Sequence, residues 1–396
     1  MQYDAIIIGG GACGLMCAVQ AGLLGKKTLI LERNDKPGAK ILISGGGRCN
    51  YTNLGTSLDN FVSENPSFLH TAFNLWSVSD TLDFFESQGI DGQEKTLGQL
   101  FPTTNKAKDV VGVFTKLMFE TGQDIWLNSL VTSVEQSGAM YRVKVETPSG
   151  EKVLSSPKVV FASGGLPVQK LGASDFALRA AKQFGLKIVQ TAPALVPLTI
   201  TGKDADWYAS LSGNSVFCRV YNKKISFEEN ILFTHWGLSG PAILQISSYW
   251  RPGEEFTMDL LPRFSLEQII KSERDNGGRR LVSQVLHDYF TKRMVEALGQ
   301  FLPINTKVAS LSKADSKSII DTIHRFRVKP AGDKGYDKAE VMRGGISTDE
   351  LNARTLESKK MAGLYFGGEA VDVTGWLGGY NFQWAWASGY VIAQAI

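Results

Sequence analysis

Short apolar runs followed at once by glycine turns recur along this chain. Asp4-Ala5-Ile6-Ile7-Ile8 leads into Gly9-Gly10-Gly11-Ala12-Cys13-Gly14, and Leu15 to Leu24 follows with Gly25 as a stop. That pattern predicts strand, tight turn and helix. A second apolar strand, Thr28-Leu29-Ile30-Leu31, ends in Glu32. Lys158 to Ala162 runs into Ser163-Gly164-Gly165, and Gly363 to Phe366 runs into Gly367-Gly368-Glu369 before a closing helix. Between these, helical periodicity covers Phe68 to Gly89, Ala107 to Gly122 and Ser174 to Phe184, the last capped by Ser174 or Asp175. Ile125 to Leu154 alternates instead, with Tyr141, Val143 and Val145 against Arg142, Lys144 and Glu146, and predicts a small antiparallel meander. From about Pro193 short alternating runs predict a β-rich unit, with Ser239 capping a short helix at Pro241. A capping-box pattern at Ser265 opens a helical stretch, with longer helices over about 280–298 and 313–326.

This order predicts an α/β chain: a Rossmann-type dinucleotide domain from residues 1–190 and 341–396, a β-rich insert over 191–262 and a helical insert over 263–340. In the opening turn, Gly9 and Gly11 let the backbone approach a pyrophosphate, and Gly14 lets the helix pack on the strand. The helix start presents free N–H groups to phosphate. Glu32, about twenty residues past the turn, is placed to accept ribose hydroxyls. A nucleotide fold completed by the last strand and helix suggests FAD rather than NAD, by fold-level analogy. Glu369 is then expected on ribitol hydroxyls, and the helix after Gly379 is expected to face the flavin pyrimidine edge.

Composition narrows the class further. The chain has 396 residues, 43% hydrophobic and 20% charged, enough for two or three domains. No run reaches the ~18 apolar residues of a membrane span, and the apolar start lacks a basic leader, so a cytoplasmic location with no membrane partner is expected. A net charge of +3 neither predicts nor excludes a nucleic-acid partner. The four cysteines, Cys13, Cys17, Cys49 and Cys218, form no C-x-x-C pair and no zinc spacing, so no metal is expected. Cys13 and Cys17 are expected to serve helix packing. Ser44-Gly45-Gly46-Gly47-Arg48-Cys49-Asn50 suits a loop lying against a ligand, with donors, a cation and a thiol together.

Lys40 to Asn50 with Thr52-Asn53 resembles the signature of the BaiN/YhiN-like flavoproteins. So do Thr96 to Phe101, Phe233-Thr234-His235 with Gly237 to Pro241, and Gly375 to Asn381. These landmarks fall in the family's order over nearly the full length. The resemblance implies tightly bound FAD, a split Rossmann-type domain, and an insert of a β-barrel-like unit plus a helical unit. Family members are linked to small-molecule oxidation or reduction. The YhiN-like branch, closest here, is linked to reduction of a uridine to dihydrouridine in large-subunit ribosomal RNA. One departure stands out: many members carry Gly-Thr-Gly-Asp-Gly where this chain has Gly172-Ala173-Ser174-Asp175-Phe176, as that branch does. The expected cofactor contacts are Gly9, Gly11, Ala12, Cys13, Gly14, Glu32, Arg33, Lys40, Ser44, Gly45, Gly46, Arg48, Val131, Ala162, Ser163, Gly164, Gly368, Glu369, Gly379, Tyr380, Asn381 and Phe382.

For uracil reduction, Cys49 is the expected proton donor, with Arg48 lowering its pKa or orienting the base, and Asn50 or His235 as further orienting groups. NAD(P)H is the expected transient reductant. The alternatives are an oxidoreductase for a small molecule, such as an amine oxidase or enone reductase, and a non-catalytic ribosome-associated flavoprotein. A pyridine-nucleotide disulfide reductase is excluded, since Cys49 has no partner cysteine in its loop and no second G-x-G-x-x-G follows.

Overall fold

The structure, a computed structural model, describes residues 2–396. The chain forms two compact units, Met1–Ala192 with Glu340–Ile396, and Pro193–Ala339. The first is built on a five-stranded parallel sheet in the order Leu364–Phe366, Val159–Phe161, Ala5–Ile8, Thr28–Leu31, Asp124–Trp126. Four of its strands are near-continuous apolar runs because they are buried on both faces, while the edge strand Asp124–Trp126 is half-buried. Ile7 lies between Val160 and Ile30, and all three are buried. The opening helix, Ala12–Leu23, packs against the closing helix, Tyr380–Ala393. Gly389 makes that contact possible, since a methyl there would lie 2.5 Å from the Cys13 carbonyl oxygen. Cys13 and Cys17 are both buried along this seam, as packing residues should be.

The closing helix is apolar nearly all round because it is buried nearly all round. Trp386 stacks between Phe114 (5.3 Å) and Phe382 (5.5 Å) and donates to the Tyr51 carbonyl at 2.8 Å. Its one buried amide, Gln383, accepts from Thr52 Oγ1 (2.7 Å) and Thr81 Oγ1 (2.9 Å).

Several boundaries differ from the periodicity reading. The single helix expected over 68–89 is two, Leu69–Leu75 and Val78–Ser87, because Ser77 and Asp80 form a capping box that starts a new helix. Asp124–Trp126 is the edge of the parallel sheet and not part of the meander, which runs Leu130–Ser137, Met140–Thr147, Gly150–Ser156. Asn128, in a left-handed turn at φ +49°, separates the two.

The second unit carries a curled seven-stranded antiparallel sheet, from Phe326–Val328 through Phe256–Asp259, Ser215–Tyr221, Ser226–Thr234, Gly237–Ser239 and Leu198–Thr199 to Gly332–Asp333. Trp207, stacked on Phe326 at 5.2 Å, anchors its core. The helix expected over 280–298 is again two, Val282–Leu286 and Lys292–Leu298, the second capped by Thr291. Ser239 belongs to a strand rather than a cap; Gly240 holds the cap position before Pro241–Ser247. Among the described residues, no helix is long and apolar enough to cross a membrane, and no cluster of His, Cys, Asp or Glu could hold a metal ion.

Candidate cofactor and active site

The glycine turn after the first strand is shaped by close approach. A methyl on Gly9 would lie 2.6 Å from the Ala162 oxygen, and one on Gly14 would strike the Gly9 carbonyl. Gly11 differs: its added methyl would meet nothing within 4 Å. So Gly9 and Gly14 are needed by the fold, while Gly11 lines open space at the helix N-terminus, where a pyrophosphate would lie. Ala12 and Cys13 form the first turn of that helix. Glu32 is buried, and its two oxygens accept from Gly10 N (2.7 Å) and Asn34 N (2.8 Å). Each oxygen keeps a second lone pair for a hydroxyl. Arg33 turns away to donate to the Gly172 carbonyl at 3.0 Å.

The ends of the other sheet strands converge on the same side. A methyl on Gly165 would lie 3.1 Å from the Glu369 carboxyl carbon, so the Ser163–Gly165 turn and the Gly368–Glu369 turn are adjacent. Glu369 holds an ion pair with Lys40 at 2.6 Å and accepts from Met342 N at 2.9 Å. In the Ser163–Gly165 turn and in the strand that carries Met342, two groups are buried without a hydrogen-bond partner among the described residues: Ser163 Oγ, and Nε and Nη1 of Arg343. Orphaned donors of this kind are costly unless a ligand satisfies them. Together with the open cradle at Gly11, they fit a large polar cofactor such as FAD. Val131, also expected here, is buried in the meander's first strand.

The Ser44–Asn50 loop interrupts a helix. Ala39–Ile43 is helical; Ser44 then turns extended, and Gly45, Gly46, Gly47 and Cys49 all take positive φ. Three of those four are glycine, which carries no Cβ penalty there. Ser44 Oγ donates to the Ile41 carbonyl at 2.8 Å. Arg48 donates from Nε to the Gly45 carbonyl (2.8 Å) and rests its guanidinium 5.1 Å from the Phe101 ring centre. Asn50 turns inward, its amide donating at 3.0 Å to the carbonyls of both Thr52 and Leu100. Cys49 is fully buried. Burial pushes its thiol up to about 12, against a weaker downward pull from the Ser44 hydrogen bond. This corrects the expectation that Arg48 lowers that pKa: desolvation dominates, and the guanidinium is committed elsewhere.

This loop abuts the turn before the closing helix. A methyl on Gly379 would strike the Thr52 carbonyl and lie 2.9 Å from the end of the Asn50 amide, and Asn53 Nδ2 donates to the Gly378 carbonyl at 2.8 Å. Asn381 clamps the same turn, accepting from Gly375 N (2.8 Å) and donating to the Gly375 carbonyl (2.9 Å). Tyr380 packs edge-on to Phe61, and Phe382 is stacked on Trp386. His235 lies in the second unit, exposed in the turn before Gly237–Ser239, with Trp236 at 4.1 Å. Asn53 enters the sequence reading only as part of the family signature, with no role, and Arg343 is not expected at the site. The Gly344-Gly345 pair after Arg343 is the one available signal for it, in the style of the other strand ends.

The chain is 41% identical over 99% of its length to the ribosomal RNA dihydrouridine synthase of Escherichia coli K12, covering 98% of that protein. It is 38% identical to the protein of the same name from Haemophilus influenzae Rd, over 100% of this chain and 99% of the other. A more distant relative, 27% identical over 98% of both chains, is the 3-dehydro-bile acid delta(4,6)-reductase of Clostridium scindens. In fold this chain is similar to a 3-ketosteroid-delta4-(5alpha)-dehydrogenase of Rhodococcus jostii RHA1, at a TM-score of 0.50 and 12% identity over 99% and 97% of the two chains. The Rossmann-type, FAD-binding fold and these full-length likenesses agree with a match over residues 3–395 to one family, and the chain belongs to it: the HI0933-like proteins with a Rossmann domain.

Proposed function

We propose that this protein is an FAD-dependent oxidoreductase that reduces a uridine of large-subunit ribosomal RNA to dihydrouridine, with NAD(P)H as the reductant. The observation that carries the substrate is full-length identity of 41% to a protein named for that activity. The chain's own geometry supports the chemistry. FAD, when bound, supplies the hydride for C6 of the uracil. The residues proposed to hold it are those around the Gly11 cradle, Glu32, Lys40, Ser163, Glu369 and Arg343.

The remaining requirement is a proton for C5. Cys49 Sγ carries one at neutral pH, since burial raises its pKa to about 12. A thiol held protonated is suited to donate and unsuited to attack as a nucleophile. It is walled off in the closed loop, so delivery requires Gly45–Gly47 to open around it. Arg48, exposed at the same loop, supplies a positive charge at its mouth for the RNA, while Asn50 is a positioning residue that fixes the loop to Thr52 and Leu100.

Deleting the gene and mapping dihydrouridine in the ribosomal RNA by mass spectrometry tests the reading. The expected result is loss of the modification and its return with the wild-type gene; an unchanged level would sink the assignment. A second reading, reduction of a small conjugated enone, draws on the bile-acid reductase relative. It predicts enone turnover by the purified protein with no change in RNA.

A further inference from the structure

Leu97 sits in a conformation that bulky residues avoid, with φ +57° and ψ +38°. It is also 64% exposed, so both backbone strain and an uncovered apolar side chain are kept at one position. The surrounding loop is pinned rather than loose. Asn53 Nδ2 donates both to the Leu97 carbonyl (3.0 Å) and to the Gly378 carbonyl (2.8 Å), and Leu54 N donates to the Gly98 carbonyl at 2.9 Å. One amide therefore ties the Leu97 tip to the turn before the closing helix. Two cations stand beside it. Lys95 Nζ lies 4.3 Å and Arg48 Cζ 5.1 Å from the centre of the Phe101 ring, and Lys95 also donates to Asn105 Oδ1 at 2.7 Å. The strand that carries Phe101 receives the Asn50 amide at Leu100. A rigid apolar tip and two positive charges thus border the Cys49 loop.

That combination matches a specific need of the proposed reaction. A uridine inside folded RNA is stacked on its neighbours, and its C5–C6 bond is reached only after it leaves the stack. Proteins that hold such openings insert an apolar side chain into the gap and grip the backbone phosphates with Lys and Arg. We propose that Leu97 is a wedge that fills the place vacated by the target uridine, with Lys95 and Arg48 on the flanking phosphates. The proposal rests on the ribosomal RNA reading and adds a positioning residue to it.

The test uses the FAD-loaded full chain and a folded RNA fragment carrying the target uridine, with 2-aminopurine as its stacking neighbour. The probe brightens when its neighbour leaves. Leu97→Gly removes the wedge and relieves the left-handed strain, so folding is not at risk. Phe119→Ser removes an exposed apolar side chain elsewhere, 87% exposed on the helix Ala107–Glu120. Wild type and Phe119→Ser are expected to brighten the probe, and Leu97→Gly to lose most of that signal, by about tenfold for an opening cost of this kind. An undiminished signal in Leu97→Gly, or equal losses in both variants, overturns the wedge. Dihydrouridine is scored by mass in the same samples, which separates the two claims. Wild type that brightens the probe without forming dihydrouridine overturns the reaction alone. Wild type that modifies RNA while Leu97→Gly brightens normally overturns the wedge alone.

Discussion

Gly11 and Gly14 lie three residues apart, and the same substitution at each should have different consequences. A methyl at Gly14 strikes the Gly9 carbonyl, and overpacking of this kind costs about 1–3 kcal/mol. Gly14→Ala should therefore lower the melting temperature of the protein with and without flavin. At Gly11 the methyl meets no protein atom and the backbone is ordinary. Gly11→Ala should keep the stability of the apoprotein and weaken FAD retention, read as the flavin-to-protein absorbance ratio after gel filtration. Equal melting losses in both variants would contradict the assignment of Gly11 to the ligand.

The buried thiols make a second residue-scale prediction. Burial raises the pKa of Cys13, Cys49 and Cys218 to about 12, and that of Cys17 well above its ordinary 9.0. Below pH 9 these thiols are protonated in both folded and unfolded chains, so their contribution is constant. Above it the unfolded chain releases protons that the folded one keeps, and stability falls with pH by on the order of 1.4 kcal/mol per thiol per unit. The melting temperature should drop steeply from about pH 9 upward. Over the neutral range, turnover should show no alkaline limb from Cys49. Cys49→Ala should remove most dihydrouridine formation while leaving flavin reduction by NAD(P)H intact; undiminished product would refute the proton-donor role.

At the scale of elements, the closing helix and the split helix before it show what the sequence made legible. Four of the five parallel strands announce themselves, because burial on both faces favours a near-continuous apolar run such as Ile6 to Ile8; the half-buried edge strand Asp124–Trp126 has no such run and reads as part of the meander. The helix ends are less visible. Leu75-Trp76-Ser77-Val78 continues the apolar spacing of its neighbours, yet Ser77 breaks the helix by accepting from Asp80 N. A capping preference is local and worth about 1 kcal/mol, so it is easily masked by longer periodicity. Ser77→Ala should cost about that much in a denaturant titration. Trp386→Ala should cost about 3–5 kcal/mol, because it leaves a large cavity between Phe114 and Phe382 and strands the Tyr51 carbonyl. The site was partly legible for the same physical reason. Glycine turns and Glu32 lie close together in sequence, whereas the Asn53 clamp depends on Gly378, 325 residues away in the chain, and the Arg343 guanidinium is buried and unpartnered only through tertiary packing.

For the molecule as a whole, the decisive feature is that the first unit is closed by both ends of the chain. Its sheet places Leu364–Phe366 beside Val159–Phe161, and the turn after that strand brings Glu369 to Lys40 and to the Ser163–Gly165 turn. A nucleotide held by the opening motif alone would touch only the first third of this unit. An extended cofactor such as FAD would also contact the second segment, around Arg343 and Gly368–Glu369. Ligand binding to the folded state raises protection wherever it couples to opening. Hydrogen exchange of the flavin-loaded and stripped protein should therefore show added protection in Gly9–Gly14, in Ser163–Gly165 and in 341–346 and 367–370. Protection confined to Gly9–Gly14 and Glu32 would mean that only an adenosine diphosphate moiety is held, and would remove the basis for a flavin at the Cys49 loop.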